Sequence, residues 1–214
     1  MPGIDRFALE GKLSVEDPPA RDSATTTDES RQADIRRAMD SMENPAGFGL
    51  TADVEDSYLI GDAARCYRAA ADSGAIFCAH ASCERDLAVT IQMSGAKPQG
   101  SDRWGLGRIV DHLARNGVLP QDLALELRIL NDHRKTLYHY GHSTSDTSLT
   151  GRTSKYIYRV GSDSLRRQFE QEHAFKGSNG EVWKYAMNQV IREDALAALT
   201  TAIRLRSWIA GKVM

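Results

Sequence analysis

Residues 187–213, MNQVIREDALAALTTAIRLRSWIAGKV, decide the fold class. Within them Met187, Ile191, Ala195, Ala198, Ala202, Leu205, Ile209 and Val213 step by three or four over about seven turns, which lines apolar side chains along one face of a helix. A helix this long with one apolar face needs other helices to cover it. The segments upstream supply them. Behind Pro120, a residue tolerated in a first turn, Leu123, Leu127, Leu130, Arg134 and Leu137 share one stripe of a helix that ends near Gly141. Before it, Leu106, Ile109, Val110 and Leu113 form the apolar face of a shorter helix, capped by Ser101 or Asp102 and stopped at Asn116-Gly117.

Further upstream, Ala63, Tyr67, Ala70, Gly74, Phe77, Ala81, Glu84, Ala88 and Ile91 repeat at helical steps, with Asp53 or Asp56 available as an N-cap. The poor helix formers Asp72-Ser73-Gly74 interrupt that run. The pattern fits one kinked helix or two helices joined by a tight turn. From Ser143 to Gly180 Ser, Thr and Gly dominate, with a brief alternation over Tyr156, Ile157, Tyr158, Arg159 and Val160 that reads as a short strand or half a hairpin. The fold class read from these elements is all-α: a helical bundle of four to five main helices, with a short irregular or β-hairpin insert over 143–180 before the last helix. The bundle domain runs from 51 to 214. Residues 1–50, rich in Pro, Gly, Ser, Thr and Asp, read as tail and linker with at most a short helix over 31–42 carrying Ile35, Met39 and Met42.

Composition bounds the function. With 41% hydrophobic and 26% charged residues the 214-residue chain can close one core without a metal or disulfide staple. A formal net charge of −2 provides no global positive field, so contact with nucleic acid has to come from a local patch. Cys66, Cys78 and Cys83 form no CxxC pair and read as small core residues. The sequence opens on no leader-like charged and apolar regions, and no stretch approaches the roughly 20 apolar residues of a bilayer span, so the expectation is a cytoplasmic protein without a membrane partner.

The common catalytic signatures are missing: there is no phosphate-binding glycine loop, no GxSxG and no HExxH, and ExxH occurs as one match, Glu170 to His173. Chemistry instead concentrates in Leu130-Asn131-Asp132-His133-Arg134-Lys135-Thr136-Leu137-Tyr138-His139-Tyr140-Gly141-His142, where three of six histidines fall at the end of an apolar helix. Arg134 and His139 have the R-x4-H spacing. Other pairs have similar spacing, Arg128 to His133 and Arg166 or Arg167 to His173, but the Arg134 pair lies late in a well-formed amphipathic helix.

This segment resembles the arginine–histidine motif of the HEPN superfamily. The surroundings are similar too: Cys66-Tyr67-Arg68-Ala69-Ala70, Cys83-Glu84-Arg85-Asp86-Leu87, Trp104-Gly105-Leu106-Gly107 and Leu127-Arg128-Ile129-Leu130, over about Ala63 to His142, with a weaker match in the last helix. The resemblance implies a metal-independent endoribonuclease of the toxin or defence type, without a cofactor, working as a homodimer on RNA and held in check by an antitoxin or regulatory protein. His139 would transfer the proton and Arg134 would clamp the phosphate, with Lys135 and His142 auxiliary. Many family nucleases carry Asn, Asp or His directly after the arginine, where this sequence has Lys135. Five residues along an ideal helix turn about 500°, so His139 points roughly 140° from Arg134 and a two-fold partner would help complete the site.

Arg134 and Glu84 both occupy apolar registers, and opposite charges on two seams predict a contact between them. His80, four residues before Glu84, is placed to hydrogen-bond with it. The basic stretch Arg152, Lys155, Arg159, Arg166 and Arg167, interleaved with Tyr156 and Tyr158, reads as a solvated loop or an RNA contact. Two other readings stand beside the nuclease: a non-catalytic HEPN-like module for dimerisation or for binding a partner or nucleotide, and an unrelated bundle holding a metal through His139 and His142.

Overall fold

The computed structural model describes residues 21–42, 54–93, 98–138 and 148–213, and among them the regular elements are helices, with no strand. In chain order they are α1 (Arg21–Asp40), α2 (Val54–Arg68), α3 (Asp72–Met93), α4 (Leu106–Arg115), α5 (Gln121–Tyr138), α6 (Leu149–Val160), α7 (Ser162–His173) and α8 (Asn179–Val213). A 3₁₀ turn, Ser101–Arg103, precedes α4. None of these helices is long and apolar enough to cross a membrane.

The all-α class agrees with the sequence pattern, and α4, α5 and α8 cover the apolar stripes, but Ser101 and Asp102 do not cap α4: they lie in the 3₁₀ turn, and α4 starts after Gly105. Leu106, Ile109, Val110 and Leu113 of α4 are buried, as are Leu123, Leu127 and Leu130 of α5. Gly117 takes the left-handed conformation at φ 67° that stops α4, and the Pro120 carbonyl accepts the Ala124 amide in the first turn of α5.

The run upstream is two helices. The α2–α3 turn covers residues 69–71, with Ala70 at φ 57°, and this turn resets the helical register. The buried row of α3 is therefore Ile76, Ala79, Cys83 and Leu87, while Phe77, Ala81, Glu84 and Ala88 of the expected stripe lie half-buried beside it. α3 packs against α2, α4, α5 and α8, which makes it the centre of the bundle.

Two expectations are corrected. The first concerns the insert, where the expected strand at 156–160 is the second half of α6, and α6 and α7 together occupy most of the segment read as irregular. Ser148 caps α6 by accepting the Gly151 amide at 3.0 Å, and Gly161 at φ 87° ends it. Five alternating residues were too few to outweigh tertiary packing, since Thr153 faces inward, fully buried, and α6 lies along α8. The second concerns α1, which starts at Arg21 rather than near 31 and packs on the body. Ile35, Ala38 and Met42 join the main core. Polar contacts fasten the same helix: Arg31 donates to the Tyr67 carbonyl at 2.8 Å and pairs with Asp72, while the Tyr67 hydroxyl donates to Asp34 at 2.8 Å.

Apolar side chains form two cores. The main one draws on α1 to α5 and on α8 from Ala195 onward. The smaller one gathers Leu165, Phe169, Val182, Tyr185 and Ala186 from α7 and the first turns of α8, with Tyr156, Ile157 and Val160 of α6 against it. Gly177 lets the chain pass over the Phe169 ring, because a Cβ at that position would run into the ring. Gly177→Ala is therefore expected to destabilise the fold by about 1–3 kcal/mol through overpacking. A urea midpoint unchanged from wild type would contradict that close approach.

Candidate functional site

α5 carries its apolar stripe to Leu130 and then runs on past the fully buried core, so that Arg134 and Leu137, on the same stripe, are half-buried. Its last turns present polar groups on two sides, one toward α3 and α4, the other toward α6 and α8. His139 and His142, the proposed proton-transfer and auxiliary histidines, lie outside the described residues.

On the first side Asn131 is the hub. Its Oδ1 stands 3.4 Å from Nε2 of His80 on α3, and its amide packs close to Gly107 of α4, where a Cβ would come within 3.2 Å. Gly107 thus gives Asn131 room between two helices. Glu84, one turn beyond His80, reaches α4 as well: its Oε2 accepts the Leu106 amide at 2.8 Å. The residue before α4, Gly105, has no side chain to cap it, so Glu84 supplies both the acceptor and the negative charge that a helix N-terminus favours. The expected His80–Glu84 hydrogen bond is thus replaced by His80 with Asn131 and Glu84 with Leu106.

Glu84 and Arg134, the pair expected to meet, both act on His80. Burial holds the imidazole below its ordinary pKa, Asn131 and Glu84 pull it back up, and the charges of Arg134 and Lys135 lower it. His80 is accordingly neutral at neutral pH. Lys135 itself is exposed, with its Nζ 3.6 Å from Asp132 one turn earlier.

The second side holds a cluster that the sequence reading passed over. His133 Nδ1 stands 3.3 Å from Oδ1 of Asp194 on α8, whose other oxygen pairs with Arg152 of α6. Arg152 also donates to the Thr136 hydroxyl at 3.4 Å. Burial, followed by the Arg152 charge, lowers the His133 pKa to about 4; burial, outweighing Arg152, raises that of Asp194 to about 6. At pH 7 the cluster therefore contains a neutral imidazole and an ionised carboxylate. A carboxylate beside Nδ1 favours the proton on that nitrogen and leaves Nε2 as the basic one. His133 lines a groove of about 410 Å³ between α5 and α8, walled by Ile129, Leu130 and Leu196 and bordered at one end by the Glu126–Arg204 ion pair.

This cluster makes a pH prediction. A histidine whose folded pKa is depressed resists protonation that the unfolded chain accepts, so its contribution to stability is lost as pH falls from 6.5 toward 4. The raised Asp194 pKa works oppositely, adding stability as pH falls from 6 toward 3.8. The two trends nearly offset each other in wild type. In His133→Gln the histidine contribution is gone, so wild type should lose about 2–3 kcal/mol relative to the variant between pH 6.5 and 4. Denaturation at several pH values measures it, and a difference that stays constant with pH would refute it.

No family model, curated protein or solved structure matches the chain.

The basic stretch of the insert is helical, and two of its five cations pair with acids of α8. Arg152 pairs with Asp194 and Arg159 with Glu193, both on α8, while Arg166 donates to the Gly177 carbonyl and to Asn179. These acids are distant in sequence, so the stretch by itself does not reveal them. A signal for Asp194 did exist: it stands three residues after Ile191 and four before Ala198, on the apolar seam of α8, where an acid requires a partner.

Proposed function

We propose that this protein is a HEPN-like, metal-independent endoribonuclease whose chemistry lies at the C-terminal end of α5. The observation that carries the reading is that the turns bearing Arg134 hold a neutral imidazole on each side, His133 against Asp194 and His80 against Asn131. Cleavage of this kind needs a base to take the proton of a ribose 2′-OH as its oxygen attacks the adjacent phosphorus. It also needs an acid to protonate the departing 5′-oxygen, and a cation on the phosphoryl oxygens, whose charge grows in the transition state.

Arg134 is the phosphate clamp, since a guanidinium matches two phosphate oxygens at once. The HEPN resemblance assigns the proton transfer to His139. His133, neutral with Nε2 unprotonated, is the described imidazole placed to accept a hydrogen bond there, its pKa of about 4 making it a weak base. Lys135 and His142 contribute positive charge and a further imidazole, and Glu84 fixes α4 against α3. In this reading the protein acts in the cytoplasm as a homodimer on RNA, under an antitoxin or other regulatory partner.

The test is incubation of the purified protein with end-labelled RNA in EDTA. Wild type is expected to cut and His139→Ala to lose most of the activity. No cleavage by a folded, dimeric wild type would sink the nuclease and favour the second reading, a non-catalytic module for dimerisation or for binding a partner or nucleotide. One observation supports that alternative: Glu84 and His80 both make contacts that tie helices together, at the Leu106 amide and at Asn131.

A further inference from the structure

The α2–α3 hairpin brings together two cysteines that lie twelve positions apart in the sequence. Cys66 sits in the last turn of α2, and its Sγ lies over Gly74, at 3.1 Å from where a Cβ would be. Gly74 and Cys78 are one turn apart on α3, hence on the same face, and a helical side chain leans toward its N-terminus. Cys78 therefore projects back over the place that Gly74 leaves open and Cys66 fills. Cys66 is also one of the neighbours that raise the Cys78 pKa, after burial, which agrees with that placement. Both cysteines are half-buried and free, whereas Cys83 is enclosed in the main core.

We propose that Cys66 and Cys78 form a reversible disulfide, closed by exchange with a low-molecular-weight disulfide such as oxidised glutathione. Burial, reinforced by the neighbouring Cys66 and Asp62, raises the Cys78 pKa and keeps it a thiol, so Cys66 makes the first attack. Its thiolate bonds to one glutathione sulfur, the S–S bond of the reagent breaks, and one glutathione thiolate leaves. Cys78 then gives up its proton to solvent and attacks the Cys66 sulfur of the mixed disulfide, expelling the second glutathione. Two protein thiols are oxidised to one disulfide and the reagent is reduced to two thiols. Reduced glutathione in excess reverses both steps. Gly74 is what allows the approach: a larger side chain there would occupy the space in which the sulfurs meet.

The bridge would close a short loop across the turn at 69–71 and fix α2 against the start of α3, two residues before His80. It does not depend on the RNA reading.

The experiment treats the full chain with oxidised glutathione, counts thiols after denaturation and maps the cross-linked peptides. Free thiols are expected to fall from three to one, with a single Cys66–Cys78 peptide and a mass lower by two hydrogens. The oxidised protein should melt about 5 °C higher, an increase removed by reductant. In Cys78→Ser the reagent should stop at a mixed disulfide on Cys66. Stable glutathione adducts on wild type without an internal bridge, or three thiols left unreacted, would overturn the proposal even if the serine variant failed to fold.

Discussion

Replacing Asp86 with alanine is expected to cost about 3–5 kcal/mol of folding stability, well beyond the effect of an ordinary surface substitution. Asp86 of α3 is 4% exposed and Arg206 of α8 is 2% exposed, with Arg206 Nε donating to Asp86 Oδ2 at 3.4 Å and its Nη2 to the Ser82 hydroxyl at 3.5 Å. The cost comes less from the attraction lost than from the guanidinium left behind, which keeps its charge and loses the Asp86 carboxylate in a nearly water-free interface. The double variant Asp86→Leu/Arg206→Met removes both charges and should recover most of the loss, because an apolar pair of similar volume has no desolvation penalty. Urea denaturation of the three proteins decides it. A loss below about 1 kcal/mol in Asp86→Ala, as for an exposed pair, would contradict a buried ion pair at the centre of the bundle.

On the proposed nuclease reading, Arg134→Ala is expected to reduce RNA cleavage by about 10²–10³-fold at saturating substrate, the range seen when a donor to developing transition-state charge is lost. The charge on the non-bridging oxygens grows during attack, so the effect should fall on kcat more than on KM. Arg134→Lys keeps the charge but gives up the two-pronged geometry, and should recover only part of the rate. Single-turnover assays in EDTA, with circular dichroism to verify the fold, separate a lost clamp from a lost structure. If Arg134→Ala cleaved at the wild-type rate while His139→Ala did not, the arginine would have no part in the chemistry.

Much of the architecture could be read because three helices carry uninterrupted stripes. The rows in α4 and α5 are buried as spaced from Leu106 to Leu113 and from Leu123 to Leu130, and in α8 Ala195, Ala198, Ala202 and Leu205 are buried as spaced, while Val190, Leu199, Ile203 and Ala210 are buried off that row. The errors arose where local pattern and tertiary context diverge. In α6 five alternating residues imitated a strand, although the element is held by Thr153 and Arg152 against a helix some forty residues later. In α3 the turn after Arg68 shifted the register, which moved Glu84 off the core and onto the N-terminus of α4.

The candidate site divides along the same line. Arg134 and Lys135 could be singled out from one stretch of sequence, because their context is local. His133 was visible only as one more R-x4-H match, and its meaning depends on Asp194 and Arg152, which come from two other helices. The Cys66–Cys78 approach depends on the turn geometry and on a missing side chain at Gly74, neither of which is written in the spacing of the cysteines.

Because α8 is one unbroken rod of 35 residues, about 50 Å long, both apolar cores are threaded on a single spine. Asp194 stands on that spine just past the smaller core and immediately before the larger one begins at Ala195. Its ties to His133 of α5 and Arg152 of α6 therefore join the two packing units near the point where they meet along α8.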